Sequence, residues 1–255
     1  MSDPALYNLP DNPAELAWFL DVDGTLLPIA ETPAAVSPSG ALCALLAKLS
    51  VTAGGALALI SGRPLAELDH LFSPHRFPAA GQHGGERRDA AGRLMHAAID
   101  HGALGKLRAY LQRLAHDDPR LLLEDKGLSL ALHYRRAPQR GPALAAALRQ
   151  TLVKHPQWVL LSGKQVLELR PTAINKASAV RAFLSETPFA GRVPLFIGDD
   201  ATDEDGFAGV NALHGVSVKV GEESTRAHWR LKDSAAVLKW LASCADGQFE
   251  HLEAT

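Results

Sequence analysis

Asp21 and Asp23 stand one residue apart in Phe-Leu-Asp-Val-Asp-Gly-Thr, at the end of an apolar run that begins at Leu16. Ionised carboxylates need partners or a metal when they are taken out of water. At the end of a buried strand, where the chain emerges, they are free to do chemistry. Gly24 allows a tight turn there and Thr25 adds a hydroxyl. A second acidic strand end follows downstream, where Val193–Ile197 runs into Gly-Asp-Asp-Ala-Thr-Asp-Glu at positions 198–204. Two strand ends crowded with acid make a site for a hard cation with oxygen ligands, of which Mg2+ is one.

Asp21 is the candidate nucleophile, since a carboxylate can attack phosphorus and give an aspartyl-phosphate that water later hydrolyses. A cation would offset the repulsion between that carboxylate and an incoming phosphate. Asp23 can protonate the leaving oxygen, activate the water, and lend its backbone carbonyl to the metal. Asp199 supplies the distant carboxylate for the metal, while Asp200 and Asp203 are either further ligands or groups that hold the ligands in place. Ser61, in Ser-Gly-Arg-Pro after a second apolar run, could cradle phosphate with a neighbouring N–H at a helix start. Arg63 could contact that phosphate or pair with an acid, and Lys176 could spread charge over the phosphoryl oxygens. Each motif alone has a plainer reading: Asp-x-Asp-Gly-Thr as a surface turn, Ser-Gly-Arg-Pro as a helix cap, the 202–205 acids as a helix first turn.

The elements that must position these groups alternate. Strand signals at 18–20, 56–60, 193–197 and 216–220 are interleaved with helical stripes at 38–49, 65–71, 176–184 and 201–209. That rhythm predicts an α/β, doubly wound parallel sheet, a Rossmann-like core. It changes after about Glu86, where helices at 104–114 and 142–153 accompany short strands at 121–125, 128–134, 158–162 and 166–170. This is the pattern of an inserted α+β domain, giving core at 1–82, insert at 83–170 and core again at 171–255. The linkers at 81–85 and 170–175 carry Gly or Pro and are expected to hinge, and the polar tail at 245–255 is expected to fray.

A length of 255 residues suits one large domain or two modest ones, and 47% hydrophobic with 21% charged residues is a globular balance. A net charge of −2 gives no footprint for nucleic acid or an acidic membrane surface. No apolar stretch reaches the ~20 residues of a membrane helix, and the Met-Ser-Asp-Pro start lacks the basic residues of a secretory signal. Cys43 and Cys244 are too few for a disulfide framework, which fits a reducing, cytoplasmic compartment. Each reads as a small core side chain.

Taken together, the Asp-x-Asp-x-Thr motif, the Ser after strand two, the Lys and the terminal acidic pair resemble the haloacid dehalogenase superfamily of phosphohydrolases, whose larger caps sit between the Ser and the Lys. Within it the chain resembles the trehalose-6-phosphate phosphatases of bacterial type. The residues that carry this are Asp21–Leu26, Leu59–Arg63, Gly81-Gln82-His83-Gly84, Glu124-Asp125-Lys126-Gly127, His133-Tyr134-Arg135, the segment 163–171, and Gly198–Glu204. The resemblance implies a hydrolase with a C2B-type cap, Mg2+ dependence, and trehalose 6-phosphate as small-molecule substrate. It makes Asp21 nucleophile and Asp23 acid and base. Thr25, Ser61 and Lys176 would hold the phosphoryl group, with Asp21, the Asp23 carbonyl and Asp199 on the metal.

In the insert, Glu124, Lys126, Lys164 and Glu168 are charged residues on or beside apolar strand segments, where core residues would otherwise be expected. Rejecting other sugars needs buried polar groups that only the right substrate satisfies. Lys164 and Glu168 are expected to share a strand face, as are His133 and Arg135, and an ion pair facing solvent is the plainer alternative. Gly62, Arg63, His83, Arg135 and Glu86 complete the expected substrate contacts. Other phosphosugars, such as sucrose or mannosyl-glycerate phosphate, a phosphomutase, and a non-catalytic module partnering a trehalose-phosphate synthase are the competing readings. An acid two residues from a nucleophile argues against the last.

Overall fold

The computed structural model describes residues 10, 12–28, 38–163 and 165–255. Lys164 and most of the N-terminal residues up to 11 therefore lie outside the described residues. In chain order the elements are β1 (Leu16–Leu20), α1 (Gly40–Thr52), β2 (Leu57–Ile60), α2 (Leu65–Leu71), β3 (Ala79–Gly81), β4 (Glu86–Arg88), β5 (Leu94–His96), α3 (His101–Asp117), β6 (Leu122–Asp125), β7 (Leu130–His133) and α4 (Gly141–Leu152). They continue with β8 (Trp158–Gly163), β9 (Val166–Pro171), α5 (Lys176–Leu184), β10 (Val193–Gly198), α6 (Asp203–Asn211), β11 (Val216–Val220), β12 (Trp229–Leu231), α7 (Ser234–Ala245) and β13 (Glu253–Ala254).

The large sheet runs β13-β12-β11-β10-β1-β2-β3-β4-β5. Its middle, from β12 to β3, is parallel, and β4, β5 and β13 are antiparallel additions at the edges. Every residue of β1 is buried, because helices cover both faces. Leu16, Trp18 and Leu20 point into one layer with Leu42, Leu46 and Leu49 of α1 and Val237, Trp240 and Leu241 of α7. Ala17 and Phe19 point into the other, against Val180 and Phe183 of α5 and Phe207 and Val210 of α6. This is the doubly wound α/β core that the apolar runs predict. Its central strands β1, β2 and β10 all end on one side, so Asp21, Ser61 and Asp199 emerge at the same edge of the sheet.

The chain divides into two compact units, Met1–His96 with Asn175–Thr255, and Ala97–Ile174. The first boundary falls later than residue 82, because β4 and β5 pair back onto β3 and extend the core sheet. The segment 81–85 accordingly lies inside the first unit instead of at a boundary. A Cβ on Gly81 would meet the Arg63 carbonyl at 2.7 Å, and one on Gly84 would meet the Asn175 carbonyl at 3.1 Å. The second unit is a four-stranded antiparallel sheet, β6-β7-β9-β8. Leu130, Leu132, Leu167 and Leu169 face α3 and α4, so the alternate residues Ala131, His133 and Glu168 lie on the other face.

The tail is anchored where fraying was expected. Phe249 packs 6.4 Å from Trp18 and 6.3 Å from Trp240, the Trp240 Nε1–H donates to the Glu250 carbonyl at 3.0 Å, and β13 pairs with β12. One buried aromatic contact outweighs the polarity of the residues around it. Cys244 is buried and Cys43 half-buried, consistent with packing roles. No helix among the described residues is long and apolar enough to cross a membrane.

Candidate active site

Asp21 sits directly past β1 and is 4% exposed. The chain turns sharply behind it: Gly24 adopts φ +87° and its N–H donates to the Leu27 carbonyl at 2.7 Å, while the Leu26 and Leu27 N–H groups donate to Val22. A Cβ on Gly24 would lie 2.0 Å from Asp199 Oδ2, so only glycine lets the two acidic strand ends come this close.

Lys176 is the second residue of the assembly. Asn175 caps α5 by accepting from Ser178 N–H at 2.8 Å, and the Asn175 N–H donates back to Ser178 Oγ at 3.1 Å. This reciprocal cap fixes where α5 begins. It places the Lys176 ammonium, 2% exposed, 2.7 Å from Asp21 Oδ1 and 2.6 Å from Asp203 Oδ1. α5 can approach α6 because Gly209 packs on Ala177, where a Cβ would come within 2.7 Å. Asp203 also braces the loop, its Oδ2 accepting the N–H groups of Asp199 and Asp200, each at 3.0 Å. Asp200 turns onto its own loop, its Oδ1 accepting from Thr202 N–H and Oγ1 at 2.7 and 2.6 Å and from Asp203 N–H at 3.2 Å.

Asp21, Asp199 and Asp203 each bring an oxygen within 4.8 Å of the others. Their electrostatics follow from burial. Desolvation pushes Asp21 up to about 7 against the pull of Lys176, with Asp199 and Asp200 adding to the rise. Desolvation and then the Asp203 and Asp200 charges push Asp199 up to about 7. Asp203 is raised for the same reason, burial first and Asp21 second. Desolvation opposes it, but Lys176 and the Thr202 hydrogen bonds hold Asp200 down at about 2. Burial alone would lower Lys176; the Asp203 and Asp21 carboxylates outweigh that and raise it. The group is thus short of positive charge. Two of its polar atoms, Asp199 Oδ1 and Thr25 Oγ1, are buried with no hydrogen-bond partner among the described residues. An all-oxygen donor set with unsatisfied buried acid fits a hard divalent cation.

Ser61 directly follows β2, its hydroxyl accepting from Arg63 N–H at 3.1 Å. α2 begins at Leu65, where the sequence places a helix, and the Leu65 N–H is taken by Glu86 Oε2 at 2.9 Å. Glu86 is therefore a structural brace, not a group free for substrate, and it also accepts from Gln82 Nε2 at 2.6 Å. Arg63 takes the second of its two expected options and pairs with Asp23. His83 is buried against Gly62, where a Cβ would meet its Cε1 at 2.8 Å.

In the second unit Glu124, Ala131 and Glu168 lie in register across β6, β7 and β9. Glu168 accepts from Ser129 Oγ at 2.7 Å and lies 3.8 Å from Lys126 Nζ, while Glu124 meets His133 Nε2 at 2.9 Å. Arg135 does not share a strand face with His133, because β7 stops at His133 and Arg135 is exposed in the turn beyond. Sequence reasoning missed Lys219, which is 3% exposed on β11 and donates to the Asp199 carbonyl. A lysine inside the apolar run Val-Ser-Val-Lys-Val, at the sheet edge that carries the acids, is the signal by which it could have been found.

A family model described as trehalose-phosphatase matches residues 19–235. The trehalose-6-phosphate phosphatase of Escherichia coli (strain K12) is 43% identical over 241 residues, spanning 94% of this chain and 90% of that protein. A probable trehalose-phosphate phosphatase of Sinorhizobium fredii is 48% identical over 206 residues, 80% of this chain and 77% of that one. Among solved structures, the C-terminal domain of Candida albicans trehalose-6-phosphate phosphatase superposes with a TM-score of 0.79 at 26% identity, covering 97% of each chain.

Proposed function

Since this chain belongs to the trehalose-phosphatase family, we propose that it hydrolyses trehalose 6-phosphate to trehalose and phosphate with Mg2+, the last step in making trehalose. The observation that carries the reading is the buried Asp21–Lys176–Asp203 chain beside the unsatisfied Asp199 oxygen. Buried polar groups are as a rule hydrogen-bonded, so an unpartnered acid oxygen beside three other acids points to a ligand.

In this reading an Asp21 oxygen attacks phosphorus as the bond from phosphorus to the sugar oxygen breaks, giving an aspartyl-phosphate. Asp23 gives its proton to the departing sugar oxygen. It then takes a proton from water, whose oxygen attacks the same phosphorus. Inorganic phosphate leaves and the Asp21 carboxylate is restored. Lys176 neutralises charge on Asp21 and on the phosphoryl oxygens, and the Thr25 and Ser61 hydroxyls bond to the latter. Asp21, Asp199 and the Asp23 carbonyl would hold Mg2+. Asp203 is assigned to bracing the site, since its Oδ2 accepts two backbone N–H groups and its Oδ1 the Lys176 ammonium. When bound, the ion offsets repulsion between carboxylate and phosphate. Asp203 and Asp200 act from behind, shaping the loop that carries Asp199.

The disaccharide hydroxyls are assigned to the polar face of the insert sheet, with Glu124, Lys126, Glu168 and, by resemblance alone, Lys164 and Arg135 as contacts. Gly62 and His83 line the loop beside Ser61. The insert, placed at 83–170 from sequence and compact over 97–174, serves as the specificity domain. A trehalose-phosphate synthase would supply the substrate, and the cytoplasm is the compartment that fits. The test is phosphate release from trehalose 6-phosphate beside glucose 6-phosphate and sucrose 6-phosphate, with Mg2+ and with EDTA. Mg2+-dependent preference for trehalose 6-phosphate supports the reading. Preference for another sugar keeps the chemistry and overturns the substrate, and no release from any overturns both.

A further inference from the structure

Arg63 was a candidate phosphate contact, yet its guanidinium is committed elsewhere. Nε lies 2.7 Å from Asp23 Oδ2 and Nη2 lies 2.6 Å from Asp23 Oδ1, a two-pronged pair, while Nη1 is 3.6 Å from Glu67 Oε2. The Arg63 side chain is 9% exposed and that of Asp23 42%, so the arginine is the fixed partner and the acid the one that faces outward.

The backbone beneath Arg63 is fixed too. The Gln82 N–H donates to the Arg63 carbonyl and the His83 N–H to the Ser61 carbonyl, both at 2.9 Å. To aim these two N–H groups, Gln82 and His83 adopt φ +48° and +58°, a region side-chain-bearing residues rarely enter. Glu86 ties Gln82 to the first N–H of α2 through its two oxygens. A strained, buried pair thus holds one loop, and that loop ends in the grip on Asp23.

We infer that Arg63 is a positioning residue that acts through Asp23, fixing the plane of the carboxylate that hands over and takes back the proton. The inference rests on the reading of Asp23 given above. Two parallel bonds fix orientation as well as distance, and each Asp23 oxygen keeps a second lone pair for the proton. An ammonium cannot supply that fork.

The experiment compares wild type, R63A, R63K, D23N and R63A/D23N on trehalose 6-phosphate and on p-nitrophenyl phosphate. A sugar oxygen needs a proton to leave, whereas nitrophenolate does not; hydrolysis of the aspartyl-phosphate needs Asp23 for both. Positioned acid–base groups are worth roughly 10²–10⁴-fold. R63A is expected to lose on the order of 10–10²-fold in kcat on trehalose 6-phosphate with KM little changed. On p-nitrophenyl phosphate it should show a rapid first turnover followed by slow steady state, as D23N should. R63K should recover part of the loss, and the double variant should be no slower than D23N, because effects through one group do not add. Losses that add in the double variant, with KM raised alike on both substrates and no burst, would place Arg63 on the phosphoryl group and overturn the inference. A fully active D23N, or a wild type inactive on both phosphates, would remove the reading of Asp23 and take this inference with it. An R63A chain whose melting temperature has collapsed is judged on R63K, where kcat and KM at wild-type levels would also overturn it.

Discussion

Lys176 Nζ lies 2.6 Å from Asp203 Oδ1, and both side chains are sealed from solvent. The lysine bridges buried Asp21 and Asp203, which lie beside half-buried Asp199. Removing one partner of such a pair leaves uncompensated charge in the interior, which costs about 3–5 kcal/mol. K176M is therefore expected to melt roughly 6–20 °C below wild type and to lose turnover. Thermal denaturation followed by circular dichroism checks it. A melting temperature within about 2 °C of wild type would mean that the pair is not held as described.

Gly24 separates function from general backbone tolerance. A Cβ there would overlap Asp199 Oδ2 at 2.0 Å, whereas Gly92, at a similar φ of +83°, has nothing within 4 Å. Both G24A and G92A carry the left-handed penalty of about 1–2 kcal/mol. Only G24A should also lose Mg2+ binding and activity, by an order of magnitude or more. Calorimetric titration with Mg2+ distinguishes the two, and equal affinities would refute the close approach of the strand ends.

Without cation, Asp21 and Asp199 are each pushed up to about 7. Between about pH 4 and about pH 7 the folded chain then holds protons that the unfolded chain has released, so these two groups subtract stability as pH rises through that window. In EDTA the melting temperature should carry this downward contribution, and saturating Mg2+ should remove it. Binding must displace the protons, so Mg2+ affinity should climb with pH and proton release should be larger near pH 6 than near pH 8. Titration in buffers of different ionisation enthalpy measures that release. Binding without proton uptake by the buffer at either pH would contradict the raised carboxylates.

Glu168 is braced by Ser129 Oγ at 2.7 Å and sits on the face of the insert sheet turned away from α3 and α4. E168A is expected to lower kcat/KM for trehalose 6-phosphate by roughly 10–10²-fold, as lost hydrogen bonds to a substrate hydroxyl do, and to affect p-nitrophenyl phosphate much less. Equal losses on the two substrates would remove Glu168 from the sugar site.

Apolar runs and their ends were legible in the linear chain. Five buried residues before Asp21 and six strand residues ending at Gly198 announce central parallel strands, and the acids beyond them announce the site. The resemblance of the short motifs already indicated a phosphohydrolase. Less legible was the hairpin β4–β5, too short and too polar to show a strand period, which moved the domain boundary to residue 96. Arg135 does not share the face expected with His133 because β7 ends before it, and the tail was anchored by Phe249, a single aromatic that no periodicity reveals.

What the sequence by itself determined is therefore the inventory and its placement: a layered α/β core, two acidic strand ends, and a serine, a lysine and an arginine at element boundaries. Burial periodicity and turn chemistry are local, and they act over a few residues. The tertiary structure alone decided who holds whom. Lys176 reaches Asp21 across 155 positions, Arg63 reaches Asp23 across 40, and Lys219 reaches Asp199 across 20. Those pairings depend on which strands lie side by side and on how closely glycines let them approach, and that is set by packing of the whole sheet.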